Sequence, residues 1–140
     1  MRSLEWFHGV RVLPGLWLII RLDGRAFGRF TGTRFEKPFD RRMCDLICRA
    51  TQTLFTDFNG LYAYTMSDEI SLLLPRNWDI LGRVVEKVIS VSAGLASAAF
   101  TEACGASAHF DSRIWLGVNE KAIIDYFPLA PSRRRAQRTA

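Results

Sequence analysis

YAYTMSDEISLLL, residues 62–74, decides the fold of this chain. Two apolar, β-prone runs flank Ser67-Asp68-Glu69, so the stretch reads as a hairpin of strands Leu61–Met66 and Ile70–Leu74 with those three residues at its turn. Working outward, the hairpin follows a helix that Asp40 can cap, whose apolar positions Met43, Leu46, Ile47, Ala50, Leu54 and Phe58 recur at three and four. Asn59-Gly60 stops that helix. Before it, the segment IIRLDGRAF closes an apolar strand, Leu16–Leu22, at Asp23-Gly24, and a Gly-, Thr-, Arg- and Lys-rich loop spans Arg25–Pro38. After the hairpin, Asp79 can cap a long amphipathic helix through Val84, Val85, Val88, Val91, Leu95, Ala98 and Ala99, ending near Cys104-Gly105. His109–Leu116 reads as a fourth strand.

The order is β-α-β-β-α-β, the ferredoxin-like arrangement of an α+β domain. Its usual strand order, 4-1-3-2, makes the first and second strands parallel with the third antiparallel between them. The end of the first strand and the hairpin turn then open on one sheet edge. This predicts that Asp23 meets Asp68 and Glu69 across forty-five residues of sequence. Asp is common in turns, so Asp68-Glu69 alone are read equally well as ordinary turn residues. The predicted convergence changes that balance, because gathered carboxylates repel one another unless a cation offsets them. Acidic groups at strand ends suit Mg²⁺, a hard cation bound through one or two carboxylates plus substrate phosphates. Fold alone assigns no function.

Composition bounds the rest. A chain of 140 residues, 49% hydrophobic, can bury one core. It holds no apolar run near the ~20 residues of a membrane span, and its first fifteen residues mix charge and aromatics unlike a signal peptide. Cys44 and Cys48, one helical turn apart beside apolar residues, read as a buried reduced pair, and with them a cytoplasmic location is expected. His8 and His109 lie too far apart for a histidine-based site. The net charge of +5 falls to +1 without Arg133, Arg134, Arg135 and Arg138, so bulk charge favours nucleic acid only through the tail.

Five stretches, DGRAF, FEKPFD, YAYTMSDEISLLL, VEKVISVSAGLASAAF and AHFDSRIW, occur in this order and spacing. Together they resemble the tRNA-His guanylyltransferase family, in its bacterial and archaeal branch of guanylyltransferase-like 3′–5′ polymerases, from about Phe7 to Phe127. The resemblance implies a polymerase- and cyclase-like palm over residues 1–127 that adds nucleotides to the 5′ end of tRNA. It implies GTP or ATP and Mg²⁺ as ligands, tRNA as partner, and a tetramer. By position, Asp23 and Asp68 match metal-binding aspartates, the Gly24 carbonyl a further ligand, and Glu69 the adjacent catalytic acid. The loop Asp23, Gly24, Arg25, Ala26, Phe27, Gly28 matches the segment that wraps the triphosphate. Ser67 matches a nucleotide contact, Lys37 and Asp40 a triphosphate-facing segment, and Lys87 a basic residue near the phosphates. Gly28 stands where many members have histidine, and Met66 where a polar residue is usual.

The resemblance ends at DYF, and residues 128–140, PLAPSRRRAQRTA, read by composition as a disordered basic tail. Back-translated and read after dropping the first base, the tail permits RWRQADAERNAL, close to what the family carries there. A frameshift just after Phe127 is therefore expected, leaving a truncated chain of low activity. Two other classes stay open: an inactive palm remnant that still binds nucleotide, and a cyclase-like signalling palm, against which the KPFD and SDEIS contexts speak.

Overall fold

The computed structural model describes residues 4–25 and 41–127. Strand β1 (Trp17–Gly24) leads to helix α1 (Arg41–Asp57), and the hairpin β2 (Tyr62–Met66) and β3 (Glu69–Leu74) follows. Helix α2 (Val85–Cys104), strand β4 (Phe110–Gly117) and a short helix α3 (Glu120–Tyr126) complete the described chain. The sheet order is β2-β3-β1-β4. Each neighbouring pair is antiparallel, so β1 and β2 run parallel across β3, as the element order implies. This is a palm-like α+β fold.

Alternation along the strands builds two unequal faces. Leu18, Ile20, Leu22, Ile70, Leu72 and Leu74 point to one side and are fully buried. There they pack with Leu46, Ile47, Ala50 and Leu54 of α1 and Val88, Ala96 and Phe100 of α2. Helix α1 stops at Asn59, which takes a left-handed φ of 51°, while Gly60 donates its N–H to the Phe55 carbonyl at 2.9 Å. A Cβ on Gly60 would come within 2.6 Å of Leu72 Cδ1 and 2.9 Å of Phe55 Cδ2, so any side chain there would push both neighbours aside. Helix α2 ends on Gly105 at φ 79°, a left-handed C-terminal cap.

Three expectations are corrected. Asp79 does not cap α2: it precedes a 3₁₀ turn, Ile80–Arg83, and makes no side-chain capping bond. Leu81, Gly82 and Arg83 have left-handed φ, which no α-helix can traverse. The turn buries Arg83, whose guanidinium donates to the carbonyls of Trp78 and Leu16 at 2.8 Å each and reaches those of Val12, Leu13 and Arg76. Cys44 and Cys48 are exposed rather than buried, because they lie off the stripe set by Leu46, Ile47, Ala50 and Leu54. Glu69 belongs to β3, leaving Ser67-Asp68 as a two-residue turn. The tail beyond Phe127 lies outside the described residues, as does Asp40 at the start of α1.

Candidate functional site

The second sheet face is divided along its length. Towards the Trp17 end, Ile19, Leu73, Ile123 and Phe127 form a small apolar cluster beneath α3, with Trp115 and Tyr126 against it. Towards the Gly24 end the same alternation presents Arg21 and Asp23 of β1, Glu69 and Ser71 of β3, and Asp111 and Arg113 of β4. Asp23 stands directly opposite Glu69 on one side and Asp111 on the other. Like charges placed directly across strands destabilise a sheet. Here the neighbouring arginines offset them.

Arg21 Nη2 donates to Glu69 Oε2 at 2.8 Å, and its Nε lies 3.9 Å from Asp23 Oδ2. Arg113 Nη2 bonds Asp111 Oδ1 at 3.1 Å and lies 3.8 Å from Asp23 Oδ2. Burial opposes the charge on Arg21, but Glu69, Tyr126 and Asp23 outweigh it, and the guanidinium holds its proton more tightly than free arginine. Tyr126 closes the floor of this network, its hydroxyl 3.0 Å from Ser71 Oγ. Burial first, and the negative charges of Glu69 and Asp23 after it, hold the phenol above its ordinary range.

The hairpin turn seals the end of β1. The Gly24 N–H donates to the Asp68 carbonyl at 3.1 Å, and the Arg25 N–H to the His109 carbonyl at 2.8 Å. Ser67 takes a φ of 58°, the left-handed geometry that two-residue hairpin turns demand. Asp68 is partly buried in this corner. Burial raises its carboxyl above the ordinary value, and the charges of Asp23 and Asp111 raise it further. Among the described residues no arginine or lysine forms an ion pair with it. Asp23, Asp68, Glu69 and Asp111 thus carry two more negative charges than Arg21 and Arg113 offset.

Asp23, Gly24, Ser67, Asp68 and Glu69 therefore meet at one end of the sheet, and the exposed Arg25 follows directly. The convergence has a different form from the expected common point of three carboxylates. Among the described residues no three acidic, histidine or cysteine side chains gather closely enough to hold a metal. Glu69 is instead drawn to Arg21. Lys87 sits in the first turn of α2, five residues before Ser92, whose hydroxyl bonds Ser112 Oγ at 2.7 Å. It lies ten residues, about 15 Å of helix, before Ser97, whose hydroxyl receives the Phe110 N–H beside Gly24. Ala26, Phe27, Gly28, Lys37 and Asp40 lie outside the described residues.

Sequence reading missed Arg21, Asp111, Arg113 and Tyr126. A signal existed for the first three: Arg21 and Asp23, like Asp111 and Arg113, are two apart on strands and so share a face. Nothing in the sequence pairs Tyr126 with Ser71. The donors at the Gly24 end, two aspartates and backbone carbonyls, are hard oxygen ligands of the kind Mg²⁺ takes, and two carboxylates suffice when phosphates complete the shell.

The family described as "Thg1: tRNAHis guanylyltransferase" matches residues 1–118. A tRNA(His) guanylyltransferase of Neurospora crassa is 36% identical over 81 residues, which cover 56% of this chain and 28% of that protein. One from Schizosaccharomyces pombe is 34% identical over 92 residues, covering 64% of this chain and 35% of that one. A solved structure described as a bacterial tRNA(His) guanylyltransferase-like protein in complex with GTP superposes with a TM-score of 0.80 at 25% identity, over 89% of this chain and 59% of that chain. The Saccharomyces cerevisiae enzyme has the same fold, with a TM-score of 0.82 at 24% identity over 89% of this chain and 60% of its own. The chain spans about a third of the length of those two curated relatives, 28% and 35%.

Proposed function

Because the chain belongs to the tRNAHis guanylyltransferase family, we propose that it is a nucleotidyltransferase that binds GTP or ATP with Mg²⁺ at the Gly24 end of its sheet. On this reading the 3′-hydroxyl of the bound nucleotide attacks the α-phosphorus of a 5′-triphosphorylated tRNA and pyrophosphate leaves, so that the tRNA grows in the 3′–5′ direction by two-metal phosphoryl transfer. Solved relatives hold GTP and ATP. The observation that carries the reading for this chain is Asp68, a carboxylate made costly to ionise by burial and by Asp23 and Asp111, with no arginine or lysine paired to it among the described residues.

Asp23, Asp68 and the Gly24 carbonyl would hold the metal. When bound, the metal ions supply charge stabilisation on the phosphates and acidify the attacking hydroxyl. The protein's own groups do the rest. Arg21 fixes Glu69 beside Asp23 at 2.8 Å, so the acid enters the site with its orientation set. The exposed guanidinium of Arg113, shared between Asp111 and Asp23, can turn to phosphate oxygens, which its planar fork suits. Arg25 leaves the end of β1 exposed, where it can meet a phosphate tail. Lys37, which the resemblance sets against the triphosphate, would add a further cation.

Transfer from labelled GTP to a 5′-triphosphorylated tRNA lacking its first nucleotide tests the activity. Product that depends on Mg²⁺ and disappears in Asp23→Asn supports the reading. GTP binding without any transfer would make the chain a nucleotide-binding module, and product formed equally by Asp23→Asn would overturn the assigned site.

A further inference from the structure

Helix α3 does more than cover apolar surface. Its last residue, Tyr126, reaches past the apolar cluster to the charged half of the face, where its hydroxyl meets Ser71 Oγ at 3.0 Å. Ser71 is the direct cross-strand partner of Arg21. Arg21 in turn holds Glu69 and faces Asp23. The ring of Tyr126 is fixed by Trp115 and Phe127, at centroid distances of 5.0 and 4.8 Å. Arg21 Nε is sheltered from solvent and makes no hydrogen bond, so the guanidinium is held by its ion pairs and by the wall around it.

Resting on the metal–triphosphate reading above, we propose that Tyr126 is a positioning residue: bonded to Ser71, the cross-strand neighbour of Arg21, it holds the guanidinium on Glu69 and away from full engagement with Asp23. The logic is competition. Asp23 can pair with Arg21 or give its oxygens to a cation. A guanidinium that closed from 3.9 Å onto Asp23 would compete with Mg²⁺. The mutual electrostatic influence of Tyr126, Arg21, Glu69 and Asp23 accords with their sharing one compartment. The residue lies outside the strands that carry the acidic motifs and contributes no ligand, so its effect is exerted on the geometry of others.

The test uses the full chain with Tyr126→Phe, which keeps the ring and removes the hydroxyl. Trp115→Phe serves as a packing control that leaves the hydroxyl in place. Loss of about one net hydrogen bond corresponds to roughly a fivefold effect. Tyr126→Phe should raise the Mg²⁺ midpoint for GTP binding by about that factor and, as Nε closes onto Asp23, slow exchange of the Arg21 Nε–H, followed by NMR without Mg²⁺, to a similar degree. Trp115→Phe should lower the melting temperature while leaving both readouts within about twofold. In an Arg21→Gln background, Tyr126→Phe should add no further shift in the midpoint. Unchanged or faster Arg21 exchange in Tyr126→Phe would overturn the proposal, as would equal slowing in Trp115→Phe. Absence of Mg²⁺-dependent GTP binding in the unmodified chain would defeat the proposed function instead, and the Arg21 exchange would still decide the role of Tyr126.

Discussion

At the scale of single residues, Asp68 is where folding and binding pull in opposite directions. Burial first, then Asp23 and Asp111, raise its carboxyl above the ordinary value of 3.8. A raised carboxyl binds its proton more tightly in the folded chain than in the unfolded one. Ionising it therefore costs stability. The cost is absent below the unfolded value, grows as pH rises through the window up to the raised one, and is fully present at neutral pH. Asp68→Asn should accordingly melt higher than the unmodified chain at pH 7 and no differently near pH 3, in thermal unfolding followed by circular dichroism. Adding Mg²⁺ at pH 7 should raise the melting temperature of the unmodified chain and leave Asp68→Asn where it is. Arg113 gives the complementary case. Its side chain is 62% exposed, and exposed ion pairs contribute about 0–1 kcal/mol. Arg113→Met should change unfolding free energy by less than about 1 kcal/mol while weakening GTP binding several-fold, measured by denaturant titration and calorimetry.

At the scale of elements, the hairpin and its preceding helix are fixed by close approach. Gly60→Ala would set a Cβ 2.6 Å from Leu72 Cδ1 and 2.9 Å from Phe55 Cδ2. Overpacking of this kind costs about 1–3 kcal/mol, which a urea midpoint would register. Phe100, fully buried and edge-on to Phe110 at 5.8 Å, joins α2 to the start of β4. Its replacement by alanine should cost about 3–5 kcal/mol, the larger of the two losses. These elements were legible in the sequence to within a residue or two, because α1 carries a period of 3.6 and the hairpin shows two apolar, β-prone runs about a polar turn. The start of α2 was not. Asp79 looks like a cap by local chemistry, yet Arg83 is drawn under the Val12–Leu16 segment and twists the chain into a 3₁₀ turn. Helix α3, at seven residues, is too short to declare a period, although Asn119 caps it through the Ala122 N–H at 2.9 Å.

At the scale of the whole molecule, the sheet order β2-β3-β1-β4 turns two distant acidic stretches into one site. That step followed from element order alone, since β-α-β-β-α-β sends the end of β1 and the β2–β3 turn to the same end. How the site is charged could not be read the same way. Arg21 sits within an apolar run, and its partner Glu69 is forty-eight residues distant; only register across strands says that they meet. The same holds for Asp111 and Arg113, which become neighbours of Asp23 only once β4 pairs with β1. The account therefore turns on whether this corner of the sheet is a metal-dependent triphosphate site. Calorimetric titration of GTP into the chain, with Mg²⁺ and with a chelator, in parallel with Asp68→Asn, tests it most directly. Binding that requires Mg²⁺ and is lost in folded Asp68→Asn is the predicted result; equal binding by the variant at matched Mg²⁺ would contradict the account.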